Sequence, residues 1–115
     1  MASLYKILTV QEWNDFQTKG GSFDGSIMDK RDGFIHLTFA YQSSAIIEKF
    51  FKGEHTVVLV HIDSDKLGSE NPVKVEANRP GGEKYPHLYG VIPSMAIESH
   101  DTIELAHTFN NNPSL

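Results

Sequence analysis

The stretch TVVLVHI, residues 56–62, is almost continuously apolar and β-branched. A strand with one face in water alternates apolar and polar residues, whereas a strand covered on both faces does not need to alternate. Val and Ile also pack well on the pleated surface of a sheet. We therefore predict that residues 56–62 form a central strand, with the rest of the chain arranged around it.

The other strands are predicted from shorter patterns on either side of this stretch. Residues 3–8 (SLYKIL) and 73–77 (VKVEA) alternate apolar with polar side chains, which is typical of half-buried strands. FIHLT, residues 34–38, is predicted as a short strand, and residues 96–105 (AIESHDTIEL) offer one or two closing strands.

Two helices are predicted between these strands. Thr9 and Glu12 have the spacing of a capping box, so a helix is expected to begin after Thr9 and to end at Gly20. A second amphipathic helix is predicted over residues 41–53 and ends at its final glycine.

The length of 115 residues allows one hydrophobic core and is too short for two independent ones. We predict a single domain with an ordered core over about residues 3–107 and a frayed tail over residues 108–115. Residues 22–33 and 78–87 are predicted to be loops. Because strands and helices interleave without a regular βαβ alternation, the predicted class is α+β.

The composition excludes several classes of protein. The chain has no cysteine, which excludes disulfides and thiol catalysis. It has no apolar run of the ~20 residues that span a bilayer, and its start lacks the basic and apolar segments of a signal peptide. We therefore expect a cytoplasmic protein with no membrane partner. The net charge of −5 argues against a nucleic-acid-binding surface, although a small pocket could take an RNA end.

Histidine is frequent, with six residues, but no pair has the H-x-x-x-H or H-x-H spacing of metal ligands, so no metal site is predicted. His36 differs from the others because DGFIHLT places it two residues before Thr38, on the same face of a strand. An imidazole and a hydroxyl held together on a rigid element are typical of a small-ligand site. The alternative is a half-buried histidine bonded to a backbone carbonyl.

The stretch YPHLYG, residues 85–90, also pairs a histidine with a hydroxyl. Its proline restricts Tyr85 to extended geometry. His87 and Tyr89 then alternate onto one face, and Gly90 permits either close approach of the backbone or an unusual turn.

The preceding stretch EANRPGG, residues 76–82, supplies Glu76 and Arg79 beside flexible glycines. An arginine next to exposed backbone N–H groups can hold an anion. An ordinary surface loop with a solvated arginine is the alternative.

These segments, with LYKI near the start of the chain, resemble the domain-of-unknown-function 952 family. The other matching parts are DGFIHLT at 32–38, Glu76 and YPHLYGVIP at 85–93, and the similarity is colinear over roughly residues 3–105. The resemblance implies an ADP-ribosyltransferase-like fold, with a small split mixed β-sheet and two main helices. It also implies a distant relation to tRNA 2′-phosphotransferases and to transferases that use NAD.

The resemblance further implies a ligand, which is a nucleotide or NAD in a cleft. FIHLT would form one wall of this cleft and YPHLYG, including His87, would form the facing wall. Tyr85 or Tyr89 would stack on the base or the nicotinamide ring. Arg79 and Lys6 would meet phosphate.

The same resemblance implies catalytic roles for His36 and Glu76. His36 and Thr38 would hydrogen-bond ribose, and Glu76 would orient a hydroxyl or act as a base. Lys6 stands where many members of the family have histidine. This departure favours binding over turnover, because an ammonium group does not reproduce the hydrogen bonding of a neutral imidazole.

Three functions stay open at the level of the sequence. The first is an enzyme that acts on NAD, on a nucleotide or on an RNA-end phosphate, and the second is a non-catalytic nucleotide-binding module. The third is a small protein whose histidines and tyrosines serve a protein interface or the core. The sequence names neither the substrate nor the oligomeric state.

Overall fold

The computed structural model describes residues 3–105 and confirms an α+β fold in that range. Its eight strands are β1 (Ser3–Thr9), β2 (Ser22–Phe23), β3 (Ile35–His36), β4 (Thr56–Asp63), β5 (Val73–Ala77), β6 (Lys84–Leu88), β7 (Ile92–Pro93) and β8 (Ile97–Glu104). Its three α-helices are α1 (Val10–Lys19), α2 (Ile27–Asp32) and α3 (Ser43–Phe50). The tail predicted over residues 108–115, and the end of the predicted core at 107, lie outside the described residues.

β4 is the central strand of a three-stranded sheet in the order β1-β4-β8, which confirms the prediction from its composition. Val58 belongs to the main hydrophobic core, whereas its neighbour Val57 belongs to a second cluster that packs against side chains of α3. The continuous apolar run of β4 therefore reflects burial on both faces. The main core comprises Leu4, Leu8, Phe16, Phe23, Ile35, Leu37, Val58, Val60, Ile62, Leu67, Leu88, Ile92 and Ala96.

A second three-stranded sheet has the order β3-β6-β5, and β2 pairs separately with β7. The two larger sheets are joined where Tyr5 pairs with Thr38, and each backbone N–H of this pair donates to the carbonyl of the other over 2.9 Å. We call the Tyr5–Thr38 pair the seam. All strand pairings among residues 3–105 are antiparallel, so the prediction of a mixed sheet is wrong.

The strand predicted over residues 34–38 is shorter than expected. Only Ile35 and His36 form β3, which pairs with β6. Thr38 has already left this sheet to pair with Tyr5 across the seam. The segment passes from one sheet to the other over two residues, and no local sequence pattern indicates such a change.

The prediction of a loop over residues 22–33 is wrong, because the segment contains β2 and the six-residue helix α2. α2 begins with a capping box. In this box the Asp29 N–H donates to the Ser26 hydroxyl over 3.2 Å, and the Ser26 N–H donates to Asp29 Oδ2 over 2.9 Å. The helix ends at Gly33, whose φ of 87° is a left-handed conformation that glycine adopts without strain.

The two predicted helices have different outcomes. The capping box at the start of α1 and Gly20 at its end are both observed, so this prediction is confirmed. The helix predicted over residues 41–53 is too long, because α3 covers only Ser43–Phe50 and follows a 3₁₀ turn at Ala40–Gln42. No helix within residues 3–105 is both long and apolar enough to cross a membrane.

The loop predicted over residues 78–87 is also too long, because Lys84 already begins β6. Gly90, just after β6, lies against Asn71, and a Cβ on this glycine would stand 2.9 Å from the Asn71 Cα. Asn71 cannot move away easily, since its Oδ1 accepts from the Val91 N–H over 2.7 Å. The close approach predicted at Gly90 is thus confirmed, and its role is in packing.

Candidate ligand-binding cleft

A cleft of about 870 Å³ opens beside the seam and is lined by residues of β1, α2, β3 and α3. Its volume is in the ordinary range of small-molecule sites. The lining divides into two parts of different chemistry. We call the first part the polar wall, which consists of Lys6, Asp29, His36 and Thr38, and the second part the apolar wall, which consists of Ile27, Met28, Phe50 and Phe51.

The apolar wall is unusual because its side chains are in contact with water. Ile27 is 89% exposed, Phe50 is 50% exposed and Met28 is 41% exposed. Single exposed apolar residues are common on protein surfaces, but several around one concavity indicate a binding site. The apolar wall is therefore a candidate surface for an apolar part of a ligand.

Lys6 is the buried cation of the polar wall. Its Nζ lies 2.8 Å from Asp29 Oδ2 and donates to the His36 carbonyl over 3.0 Å. The side chains of Lys6 and Asp29 are only 7% and 2% exposed, so this ion pair is largely withdrawn from water. An ammonium group has three N–H donors. The third has no partner among the described residues, which leaves it available to a ligand in the cleft.

Asp29 is the centre of the polar wall because it accepts hydrogen bonds from both sides. In addition to Lys6 and the Ser26 N–H, it accepts the backbone N–H of His36 over 3.0 Å. Burial by itself would raise the pKa of Asp29. The hydrogen bonds from His36 and Lys6 and the charge of Lys6 outweigh burial and hold this pKa far below the usual range of a carboxyl group. Asp29 is therefore an anion at neutral pH.

His36 lies between two carboxylates. Its Nδ1 is 2.7 Å from Asp29 Oδ1, and its Nε2 is 3.0 Å from Asp32 Oδ2. Asp32 also accepts from Arg31 Nε over 2.9 Å, and this bond lowers the pKa of Asp32. Basic and acidic groups thus alternate along what we call the ionic chain: Lys6, Asp29, His36, Asp32 and Arg31. No three His, Asp or Glu side chains within residues 3–105 are arranged to hold a metal ion.

His87 is the centre of a second group of polar side chains, of which only Asn78 lines the cleft. Its Nδ1 is 2.9 Å from Glu76 Oε1 and its Nε2 is 2.9 Å from Asn78 Oδ1. The Tyr89 hydroxyl donates to the same Glu76 oxygen over 2.6 Å, and the hydrogen bonds from Tyr89 and His87 lower the pKa of Glu76. Phe34 stacks on the His87 ring with centroids 4.0 Å apart. We call Glu76, Asn78, His87 and Tyr89 the His87 network.

FIHLT and YPHLYG do not face each other across the cleft, so this prediction is corrected. His36 and His87 are paired residues of neighbouring strands, with ring centroids 5.8 Å apart. His36 lines the cleft, whereas His87 is only 1% exposed and does not line it. The reason is that Phe34 covers the His87 ring.

The structure brings half of the predicted site residues to the cleft. Those that line it are Lys6, His36, Thr38 and Tyr85. Those that belong to the His87 network instead are Glu76, His87 and Tyr89. Arg79 is exposed and does not line the cleft. The arginine that lines the cleft is Arg31.

The sequence prediction missed Asp29 and Asn78. Ser26 and Asp29 have the spacing of a capping box, with aspartate in place of the usual Glu or Gln, and this signal could have located α2 and its carboxylate. No local signal marks Asn78. Its part in the cleft depends on a contact with His87, nine residues further along the chain.

Comparison with solved structures shows similarity over most of the chain. The crystal structure of protein CC0527 from Caulobacter crescentus has 34% sequence identity and a TM-score of 0.77, and the match covers 90% of this chain and 87% of that chain. The solution NMR structure of CC0527 gives 35% identity and a TM-score of 0.76, with 91% and 87% covered. None of the curated proteins matches this chain. The family described as "Protein of unknown function (DUF952)" matches residues 7–100, and this chain belongs to that family.

Proposed function

We propose that this protein binds a nucleotide or an NAD-like ligand in the cleft. The observation that carries the proposal is the presence of a polar wall and an exposed apolar wall around one cleft of about 870 Å³. A nucleotide has the same division, because its base has apolar faces while its ribose and phosphates are polar. Small-molecule sites are likewise mostly apolar, with a few fixed polar groups that orient the ligand.

The base or the nicotinamide ring would lie on the apolar wall. Covering Ile27 and Phe50 removes apolar surface from water, which is favourable by ~25 cal/mol for each Å². Tyr85 lines the same cleft and supplies an aromatic ring on which a base can stack.

The phosphates would lie at the polar wall and beside Arg31. Lys6 has one N–H donor available, and Arg31 can hold an anion through two N–H groups. Arg31 forms an ion pair with Asp32 in the absence of a ligand, so a phosphate would compete with this carboxylate for the guanidinium group. The anion-binding role that the sequence suggested for Arg79 passes to Arg31 in this proposal.

Transfer chemistry on NAD or on a 2′-phosphorylated RNA end is the second candidate, together with a relation of the fold to ADP-ribosyltransferases. It is favoured by the imidazole of His36, which lines the cleft and is oriented by its contact with Asp29. A general acid or base has to be held in a fixed orientation in this way. Binding without turnover is favoured because both ring nitrogens of His36 face carboxylates. Glu76, the predicted base, does not line the cleft.

The chain's two arginines provide a matched test of the site. Calorimetry with ADP-ribose, NAD, AMP and adenosine should show that a phosphate-bearing ligand binds more tightly than adenosine. Arg31→Ala should weaken that binding about tenfold, since a charge-assisted hydrogen bond contributes ~1.5 kcal/mol. Arg79→Ala should weaken it much less, because Arg79 lies outside the cleft lining and reaches the site only through the effect of its charge on Tyr85.

Two exposed methionines provide a matched test of the apolar wall. Met28 lines the cleft and Met95 does not. Met28→Ala should weaken binding, and Met95→Ala should not. Failure of all four compounds to bind, or equal losses in both members of a pair, would refute the proposed function. Consumption of NAD above a buffer control, followed by chromatography, would instead establish the transferase.

A further inference from the structure

Asn78 connects the His87 network to the cleft. It lines the cleft, and its Oδ1 faces His87 Nε2 at 2.9 Å. A carbonyl oxygen of an amide can only accept, so in this arrangement Nε2 carries the hydrogen and Asn78 Oδ1 is used up. The amide nitrogen of Asn78 makes no hydrogen bond within the described residues. Its two N–H groups are thus available to a ligand in the cleft.

The orientation of the His87 ring towards Asn78 is set further back in the network. Glu76 is ionised, since hydrogen bonds from Tyr89 and His87 lower its pKa, and an ionised carboxylate only accepts. The two ring nitrogens of His87 thus face oxygen atoms on both sides, Glu76 Oε1 at Nδ1 and Asn78 Oδ1 at Nε2. Phe34 stacks on the His87 ring, with the ring centroids 4.0 Å apart, and so packs against it in this orientation.

We propose that Asn78 is a ligand-binding residue, and that His87 and Glu76 are positioning residues that orient its amide. This inference rests on the proposed function and specifies one part of it. The amide N–H groups would donate to an acceptor oxygen of the nucleotide, such as a phosphate or carbonyl oxygen. The His87 network, which sequence analysis assigned to catalysis and to direct contact, then acts through Asn78.

The first test replaces Asn78 by aspartate, which keeps the shape of the side chain and removes both donors. With ADP-ribose as the probe, Asn78→Asp should weaken binding by about tenfold or more, because the lost hydrogen bond is replaced by repulsion between charges. Asn14→Asp is the matched control. It adds the same charge at an exposed position of α1 outside the cleft lining, and it should change the affinity less than twofold.

The second test observes the amide directly. In an NMR spectrum of the ¹⁵N,¹³C-labelled protein, the side-chain NH₂ signals of Asn78 are assigned by through-bond correlation to the carbon atoms of its own side chain. Saturation with ADP-ribose should shift these signals in the unaltered protein. This measurement also covers the case in which Asn78→Asp loses stability.

A double-mutant cycle tests the positioning role. Tyr89→Phe removes the hydroxyl that donates to Glu76, and by itself it should weaken ADP-ribose binding about threefold. In the Asn78→Asp background the same change should have no effect on affinity, because the network no longer orients a donor. A purely structural role of Tyr89 would give equal losses in both backgrounds.

The outcomes separate this inference from the proposed function. If ADP-ribose binds but neither the Asn78 signals nor the Asn78→Asp affinity changes, the role of Asn78 is refuted and the proposed function stands. If Tyr89→Phe gives additive losses, the positioning role is refuted. If none of ADP-ribose, NAD, AMP and adenosine binds, both the proposed function and this inference fail.

Discussion

Lys6 shows how a residue's partner decides its role. The sequence suggested a free cation that would meet phosphate, but two of its three donors are bonded to Asp29 and to the His36 carbonyl. Its charge is therefore used mainly to allow Asp29 to be buried. The remaining donor can contact a ligand as a directed hydrogen bond, without the long-range attraction of an unpaired charge.

Replacement of Lys6 should consequently affect stability more than a surface substitution would. Lys6→Met keeps the length of the side chain but leaves the Asp29 carboxylate buried without its cation. We expect a loss of about 3–5 kcal/mol in the free energy of unfolding, measured in urea at pH 7. Lys30→Met is the control, because Lys30 pairs with Asp24 at 3.5 Å on the surface, where such pairs contribute ~0–1 kcal/mol. Equal losses in the two variants would contradict the assignment of Lys6 to a buried pair.

At the scale of elements, α2 depends on its surroundings. A helix of six residues is too short to be stable by itself in water. Its capping box with Ser26 and the contacts of Asp29 with β1 and β3 hold it in place. Asp29 both caps the helix and orients His36. A substitution that weakens the cap of α2 should therefore also disturb the polar wall.

Ser26→Ala tests this coupling. Loss of the capping hydroxyl should lower the free energy of unfolding by about 1 kcal/mol. It should also weaken ADP-ribose binding, because Asp29 loses one of the contacts that fix it. Asp63→Ala is the control: it removes the cap of the 3₁₀ turn Ser64–Lys66, outside the cleft lining, and should lower stability while leaving the affinity unchanged. An unchanged affinity in Ser26→Ala would show that cap and site are independent.

At the scale of the whole molecule, the ionic chain should make the free energy of unfolding depend on pH in the acidic range. The pKa of Asp29 is lowered in the folded protein, so the unfolded chain binds a proton more readily at this group. The contribution of Asp29 to the free energy of unfolding is therefore fully present above the ordinary pKa of an aspartate, ~3.9. This contribution is lost as the pH falls below that value. Urea unfolding between pH 6 and pH 2 should show this loss.

Two variants identify the carboxylate responsible. Asp29→Asn should give a flatter dependence of stability on pH over this range, although its stability at pH 6 will be lower. Asp32→Asn should flatten the curve less, because Asp32 is more exposed and its interactions are screened by water. A slope in Asp29→Asn equal to that of the unaltered protein would contradict the assignment.

Sequence reasoning succeeded where the signal is local. β4 was recognised by its continuous apolar run, and α1 by its capping box and terminal glycine. Sheet pairing depends instead on contacts between distant segments, so neither the seam nor the pairing of His36 with His87 could be found. α2 was missed because six residues are too few to show helical periodicity.

The candidate site was predicted only in part for the same physical reason. His36 and Thr38 are two residues apart in the same segment, and their alternation is visible in the sequence. Whether a charged or amide side chain contributes to a site depends on its partners, and the partners of Asp29 and Asn78 come from other elements. Conversely, Arg79 lies next to Gly81 and Gly82, as expected of an anion site, but it does not line the cleft.

The seam also determines how the chain could be divided into fragments. Lys6 reaches the polar wall from one side of the Tyr5–Thr38 pair, while His36 and Thr38 reach it from the other. A peptide that ends at Gly21 would carry the first side only, and the remainder of the chain would carry only the second. Ligand binding would then return only when the two pieces recombine, so the cleft could serve as a reporter of fragment complementation.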